Sequence, residues 1–310
     1  MNDTKKHVTE YFYSDNSGDA QATVYHLFPG VEVAYTSVHM TDFDFGSFES
    51  GKKRNHIEIH YCRDGRIEQE MNREFFYLMP GDCSIALQDQ TQTVFQLPLK
   101  HYHGIHIGID LDMAQNPLFD YLSHCECPPR ETMKHICGEM SHVVLRSSEA
   151  AKIFFEDLYA IKPAQRLDYL RAKLPELFFR MKYANPNSHN YDRSLVPRAQ
   201  VDFVKDVAHY ISQNINEKIT VKQLTREFGI SDTYLQNSFR SVYGMPVIRF
   251  IRVQKMQNAA QLLIHTTRSI DEIAESFGYE NESKFSAAFK KIMGDTPNIY
   301  RKEHAKIKII

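Results

Sequence analysis

His56, Glu58, His60 and Cys62 alternate in the run His56-Ile57-Glu58-Ile59-His60-Tyr61-Cys62, and His101, His103 and His106 follow on a later segment. Imidazoles and a carboxylate on one strand face can ligate a transition metal or hydrogen-bond a small polar molecule. They can also be an ordinary polar strand face. The use expected here is an effector pocket touching His56, Glu58, His60, Tyr102 and His103, with no metal. A second grouping, Cys125-Glu126-Cys127 with His135 and Cys137 beyond it, has zinc-type donors. Only one residue separates its paired cysteines, whereas structural zinc sites usually keep about two to four. Pro128-Pro129 directly after the pair points instead to a loop feeding a helix. No Ser/His/Asp set or glycine-rich phosphate loop is present, so the chain reads as a non-enzyme without a cofactor. The chemistry left is recognition. Asp232, Thr233, Gln236 and Asn237, and later Glu282, Ser283 and Ser286, are short polar groups of the kind that match base edges. Gln and Asn can pair with adenine, and Glu can accept from cytosine.

Those two polar sets lie in two stretches that repeat each other, Ile219–Gly244 and Ser269–Gly294. Thr220 and Ser269, Leu224 and Ile273, Phe228 and Phe277, and Gly229 and Gly278 match at an offset of 49 residues; Leu235 and Phe285, Phe239 and Phe289, Arg240 and Lys290, and Gly244 and Gly294 match at 50. Each copy reads as helix, glycine turn, helix. Thr220 with Gln223 and Ser269 with Glu272 have the spacing of a capping box. Gly229 and Gly278 stand where the chain must stop a helix and reverse. Between the copies, Pro246 to His265 reads as one helix, about 30 Å long at 1.5 Å per residue. A rod of that length can hold two readers about one duplex turn apart, ~34 Å. The remaining basic residues expected at phosphates are Lys222, Arg240, Arg268, Lys284, Lys290, Lys291 and Arg301.

The 310 residues suffice for two or three domains, and 42% hydrophobic with 25% charged residues is the composition of a soluble globular chain. No apolar run approaches the ~20 residues of a membrane helix, and the N-terminal residues lack the apolar core of a secretory signal. Five cysteines, an odd number, argue against a disulfide framework. The expectation is a cytoplasmic protein with no membrane partner. The net charge of −2 divides unevenly: residues 201–310 hold 16 Lys+Arg and 12 Asp+Glu, net +4, leaving −6 for the first 200. That asymmetry suits a modestly basic nucleic-acid-facing domain joined to an acidic domain with another task.

The segments ITVKQLTREFGIS, YLQNSFRSVYG-x-P, KMQNAAQLL, SIDEIAESFGYENESKFSAAFKK and GDTPNIYR, in this order and spacing, make residues ~200 to 303 resemble the DNA-binding domain of AraC-type transcription regulators, about one domain in length. Lys255 stands where that family more often has arginine. Ala287 stands where relatives often carry a long polar or basic residue, so the second unit is expected to read fewer bases and mainly clamp backbone. The resemblance implies double-stranded DNA and RNA polymerase as partners, a small-molecule effector, and activation more than repression.

The first half has period two from Val31 to Asp110, with turn signals at Asp64-Gly65, expected to close a hairpin, and at Pro80-Gly81-Asp82. It is similar to the cupin-like sensor of the same regulators. Some of its phrases, IEIHYCRDGRIEQE and YHGIHIGID, also resemble a siderophore-responsive branch, which leaves the ligand class open. The His-x-His followed closely by Glu of metal-binding cupins is missing. Ser148 is placed to cap a helix, and Leu167, Leu170, Leu174, Leu177 and Phe178 mark a second one, with a kink or break expected at Pro175. Those two helices need a surface, either their own barrel or a second copy of the chain in a homodimer.

The fold class expected is α+β with two domains: an N-terminal cupin-like β-barrel with trailing helices, and a C-terminal all-α domain with two helix-turn-helix units joined by a linker helix. The boundaries are 1–183 for the sensor and dimerisation domain (barrel about 20–115, helices about 148–183), 184–197 for the linker, and 198–304 for the DNA-binding domain (first unit 220–241, linker helix 246–265, second unit 269–292). The function expected is a sequence-specific, effector-responsive transcription regulator. Alternatives are a metal-cupin enzyme with a helical regulatory domain, or a helical protein-interaction module.

Overall fold

Stretches of the first half form strands β1 (Val8–Asp15), β2 (Gly18–Phe28), β3 (Val31–His39), β4 (His56–Gly65), β5 (Ile67–Met71), β6 (Glu74–Leu78), β7 (Cys83–Gln88), β8 (Phe95–Gln96), β9 (Tyr102–Asp110) and β10 (His142–Leu145), and two short strands follow later, β11 (Tyr191–Asp192) and β12 (Val196–Pro197). The computed structural model describes residues 7–15, 18–40, 55–71, 74–88, 95–113, 116–185, 191–192 and 195–304. Two compact units emerge, Met1–Val196 and Pro197–Ile310.

In the first unit, one sheet has the order β1-β2-β3-β9-β4-β7-β10-β11, and a smaller one the order β12-β6-β5-β8. Successive side chains on a strand point to opposite faces. Ile57, Ile59 and Tyr61 of β4 and Ile105, Ile107 and Ile109 of β9 therefore share one face of the large sheet, and that face is buried under helices. The helices are α1 (Pro117–His124), α2 (Pro129–Cys137), α3 (Glu149–Ala160) and α4 (Arg166–Lys182). The opposite face meets the small sheet through Cys62, Tyr102, Val38 and Val144 on one side and Ile67, Phe76 and Leu78 on the other. The large sheet is thus covered on both faces.

Two expectations need correction, and two others are filled in. Asp64-Gly65 closes no hairpin: β4 and β5 belong to different sheets, and the chain turns a corner there with Gly65 at φ 82°. A Cβ on Gly65 would lie 2.3 Å from the His101 carbonyl oxygen, so the close approach, rather than a two-residue loop, demands glycine. Pro175 does not break α4, which runs through it. The missing hydrogen bond and ring clash cost ~3 kcal/mol, but six buried side chains along α4 each contribute ~1.5–3 kcal/mol. The apolar stripes of α3 and α4 pack on their own sheet, with Phe154, Phe155, Leu158, Leu174 and Phe178 in its core, the first of the two surfaces left open for them. Finally, part of the 184–197 stretch is strand: Tyr191 pairs with Leu145 and Asp192 with Val144. Residues 186–190 and 193–194 of that stretch lie outside the described residues.

The cysteine grouping separates. Cys127 and Cys137 are buried, with Sγ contacts to Thr132 and the Ile85 carbonyl, while the exposed His135 bonds the Ala184 carbonyl. Pro128-Pro129 opens α2, and Ser148 caps α3.

The second unit is helical: α5 (Arg198–Gln213), α6 (Val221–Glu227), α7 (Asp232–Tyr243), α8 (Val247–His265), α9 (Ile270–Ser276), α10 (Glu282–Met293) and α11 (Pro297–His304). Leu224, Leu235 and Phe239 close one small core and Ile273, Phe277, Phe285 and Phe289 another, all buried. The 19-residue α8 spans about 28 Å at 1.5 Å per residue and packs against α7 on one side and against α9, α10 and α11 on the other.

Candidate nucleic-acid interface

Each helix-turn-helix is fixed by capping chemistry at three points. The Thr220 hydroxyl accepts from the Gln223 amide at 3.2 Å to start α6. At α9 the Ser269 hydroxyl accepts from the Glu272 amide at 3.2 Å, and the Glu272 carboxylate accepts from the Ser269 amide at 2.7 Å. The reciprocal box expected at both sites therefore forms only at Ser269. Glu272 is a carboxylate, a stronger acceptor than the Gln223 amide, and its bonds to Ser269 hold its pKa below the usual value. The second helices start at Ser231, whose hydroxyl accepts from the Tyr234 amide, and at Asn281, whose side chain accepts from the Lys284 amide. Both end at a glycine of positive φ, Gly244 at 71° and Gly294 at 91°.

The turns carry Gly229 at φ 63° and Gly278 at φ 78°. After each glycine, one amide bonds back five residues: Ile230 to the Thr225 carbonyl and Tyr279 to the Ala274 carbonyl, both at 3.0 Å. Those bonds align Ile230 with Tyr279. In the first unit the next residue, Ser231, caps α7; in the second, Glu280 intervenes before the cap Asn281. Glu280 is therefore the extra residue behind the change of offset from 49 to 50. Its carboxylate pairs with Lys284 at 3.0 Å, which holds its pKa down.

The first turn of α7 presents Asp232 and Thr233 to solvent, and Asn237 is exposed one turn on. Gln236 is half-buried: its amide donates to Asp232 at 3.1 Å, and its carbonyl accepts from the Val247 amide, the first of α8, at 3.4 Å. It serves as a bracket between α7 and α8 as well as a candidate reader. On α10, Glu282, Ser283 and Ala287 are exposed and Ser286 is half-buried. Leu235 and Phe239, like Phe285 and Phe289, point inward and orient these faces.

The basic residues divide. Lys222, Arg240, Lys290 and Lys291 are exposed. Lys284 is engaged by Glu280. Arg268 donates to the Glu272 carbonyl at 3.1 Å. Arg301 is held by the Leu263 carbonyl at 3.2 Å and by the Arg268 carbonyl, which makes it a fastener of the second unit. Sequence reasoning did not find the roles of Arg301 and Gln236, because both bonds join segments far apart in the chain.

The residues expected to form an effector pocket are not gathered into one place. Tyr102 and His103 are adjacent on β9 and so face opposite ways. Tyr102 lies in the apolar core between the sheets and donates to the Tyr61 carbonyl at 3.3 Å. His103 sits 2.9 Å from His39 instead. His56, Glu58 and His60 do stay together: His56 Nε2 lies 2.8 Å and His60 Nε2 3.8 Å from the Glu58 carboxylate, and His60 stacks on His106 at 4.4 Å. Burial pushes the Glu58 pKa up, but bonds from His56 and His60 and the nearby imidazole charges outweigh it and hold the carboxyl well below its usual range. On the small sheet, Gln69 is 2% exposed, and its side-chain carbonyl finds no hydrogen-bond partner among the described residues. No group of three or more His, Cys, Asp or Glu side chains among the described residues is arranged to hold a metal ion.

Residues 224–303 match the family model described as a helix-turn-helix domain. The C-terminal region is an AraC-type helix-turn-helix domain. The F1 operon positive regulatory protein of Yersinia pestis is 39% identical over 99 residues, which is 32% of this chain and 33% of that protein. The Msm operon regulatory protein of Streptococcus mutans is 24% identical over 253 residues, 81% of this chain and 85% of that protein. Among solved structures, the C-terminal domain of AraT, a response regulator from Geobacillus stearothermophilus, is 34% identical and covers 32% of this chain and 84% of its own, with a TM-score of 0.31. The chain spans about a third of the length of the first curated relatives it matches. No helix among the described residues is long and apolar enough to cross a membrane.

Proposed function

We propose that this chain is a sequence-specific double-stranded-DNA-binding transcription regulator that activates in response to a small-molecule effector. The observation that carries the reading is the pair of capped helix-turn-helix units on one continuous helix, each exposing short polar side chains at the start of its second helix. A recognition helix enters the major groove by that end. Asp232, Thr233, Asn237, Glu282 and Ser283 then face base edges, and Lys222, Arg240, Lys290 and Lys291 face phosphates. Activation, through contact with RNA polymerase, draws support from the relative named as a positive regulatory protein.

The effector half of the reading rests on His56, Glu58 and His60, buried on the sheet face opposite the helices, with the half-buried His106 beside them, and on the Gln69 carbonyl. Such groups favour a small molecule that carries hydrogen-bond donors. The effector acts only as far as it binds the two functional states unequally.

The test is selection of duplexes from a randomised library, followed by gel-shift titration at several salt concentrations. Enriched sites and an affinity that falls steeply with salt are expected. Arg240→Glu should weaken binding to every duplex about equally. Absence of enrichment, or salt-independent binding, would overturn the DNA reading.

A further inference from the structure

Lys255 lies near the middle of α8, eight residues after its first residue Val247 and ten before its last, His265. Its ammonium donates to two backbone carbonyls: Glu217, in the loop that follows α5 and precedes the first unit, at 3.1 Å, and Phe277, the residue that caps the end of α9 in the second unit, at 2.9 Å. The Phe277 carbonyl is among those left over at a helix C-terminus, where a cation is favoured. The turn glycine Gly278 is part of the same approach, since a Cβ there would lie 3.9 Å from the Lys255 ammonium. Other links of α8 to its flanking units, among the described residues, lie toward its ends. Tyr243 and Phe250 rings pack at 4.2 Å and Gln236 holds Val247 at one end, while Arg301 holds Leu263 near the other. Each of those joins α8 to one unit. Lys255 joins the loop that leads into the first unit to the backbone of the second through one group.

We propose that Lys255 is a positioning residue that fixes the relative placement of the two recognition helices, and thereby the spacing of half-sites the protein accepts. The proposal rests on the DNA-binding reading above. A methylene chain without the ammonium leaves Glu217 and Phe277 tied to α8 only through apolar packing, which is non-directional. The two units then tolerate a wider range of relative twist. One base pair added between two half-sites moves the second by about 3.4 Å and turns it by a tenth of a helical turn, so spacing reports this coupling directly.

The experiment uses the full chain and a duplex selected from a randomised library by the unmodified protein, together with versions carrying one base pair inserted or deleted between its two protected blocks. The unmodified protein should lose roughly tenfold or more in affinity on either change, a cost like that of one mismatched pair. Lys255→Met should bind the original duplex several-fold more weakly but show a spacing penalty cut to about threefold or less. Lys255→Arg, which keeps the charge and the donors, should restore the penalty. A cation acting on DNA merely by charge would lower all three affinities in parallel, leaving the ratio unchanged, so parallel loss overturns the proposal while the DNA reading stands. Spacing indifference in the unmodified protein overturns it too. Failure of the library to enrich removes the DNA reading and this inference with it. Thermal unfolding checks that Lys255→Met is folded; if it is not, Lys255→Gln, which keeps an uncharged donor on a shorter side chain, carries the same comparison with an intermediate penalty expected.

Discussion

The two helix-turn-helix units share their scaffold and differ in what they present. Both have a capped first helix, a left-handed glycine, a 12-residue second helix and a terminating glycine. One turn into the first unit's second helix the exposed group is Asn237, with Gln236 half-committed to α8; on the second the equivalent positions are Ala287 and Ser286. The second unit adds Glu280, which takes up Lys284, and a complete capping box at Ser269. Under the proposed reading, one copy discriminates and the other holds. The lesson is that repetition conserves the groups that shape a unit, while the exposed faces drift apart in chemistry.

The largest effects should come from the cores beneath the two recognition helices. Phe239 and Phe289 are both fully buried, and Phe→Ala there should cost about 3–5 kcal/mol in thermal or denaturant unfolding. Their neighbours differ. Phe239 packs on Phe250 of α8, whereas Phe289 packs on Tyr300 of α11. Phe239→Ala should erase preference in both half-sites, because α8 is shared, and Phe289→Ala should leave the first half-site preference standing. Loss of both preferences in Phe289→Ala would break the division of roles.

Next in size is base discrimination. Asn237→Ala should remove ~1–3 kcal/mol of preference at one or two base pairs, read from selected sites, while Ala287→Gly should leave the selected sites unchanged. Gln236→Ala is a less clean probe, since it also releases the Val247 amide at the start of α8. Unchanged selection by Asn237→Ala would sink the assignment of specificity to the first unit.

Capping comes third. Ser269→Ala removes the hydroxyl that accepts from the Glu272 amide and donates to its carboxylate and should cost ~1 kcal/mol, and Thr220→Ala, which removes one bond, nearer ~0.5 kcal/mol. Calorimetric unfolding of the two variants reads the difference, and an equal or reversed order would mean the bond from the Ser269 hydroxyl to the Glu272 carboxylate contributes nothing.

Much of this second unit was legible in the chain because its determinants are local. Caps, turn glycines and the apolar spacing at Leu224, Phe228, Leu235 and Phe239 act within a few residues of one another. The bonds of Arg301, Gln236 and Lys255 were not legible, since each reaches a backbone group 11 to 38 residues away. In the first unit the alternation at His56–Cys62 correctly marked a strand. It gave no means of knowing that both faces of that strand are covered, one by helices and one by a second sheet. Asp64-Gly65 has the chemistry of a hairpin, yet the next strand pairs elsewhere because tertiary packing decides which sheet β5 joins. Tyr102 and His103 were grouped by proximity in sequence, which is what alternation along a strand forbids.

The smallest expected effect isolates the extra residue. Glu280 sits 3.0 Å from Lys284, and its carboxyl pKa is lowered by that bond. An ionised Glu280 keeps Lys284 from a phosphate, so Glu280→Gln should steepen the dependence of log affinity on log salt by up to about one ion. Lys284→Met alone should barely change the slope, and in the Glu280→Gln background it should cancel the gain. The sign with pH follows from the lowered pKa: the pair is complete above the ordinary glutamate pKa near 4.5 and is lost as pH falls through the lower folded value. At neutral pH the unmodified protein and Glu280→Gln should therefore differ, and the difference should shrink only in acid. Gel-shift titrations of the four proteins at three salt concentrations decide it. A slope that falls by about one on Lys284→Met in the unmodified background would mean that Lys284 already meets a phosphate, and that the second unit's extra residue does not set its grip on the duplex.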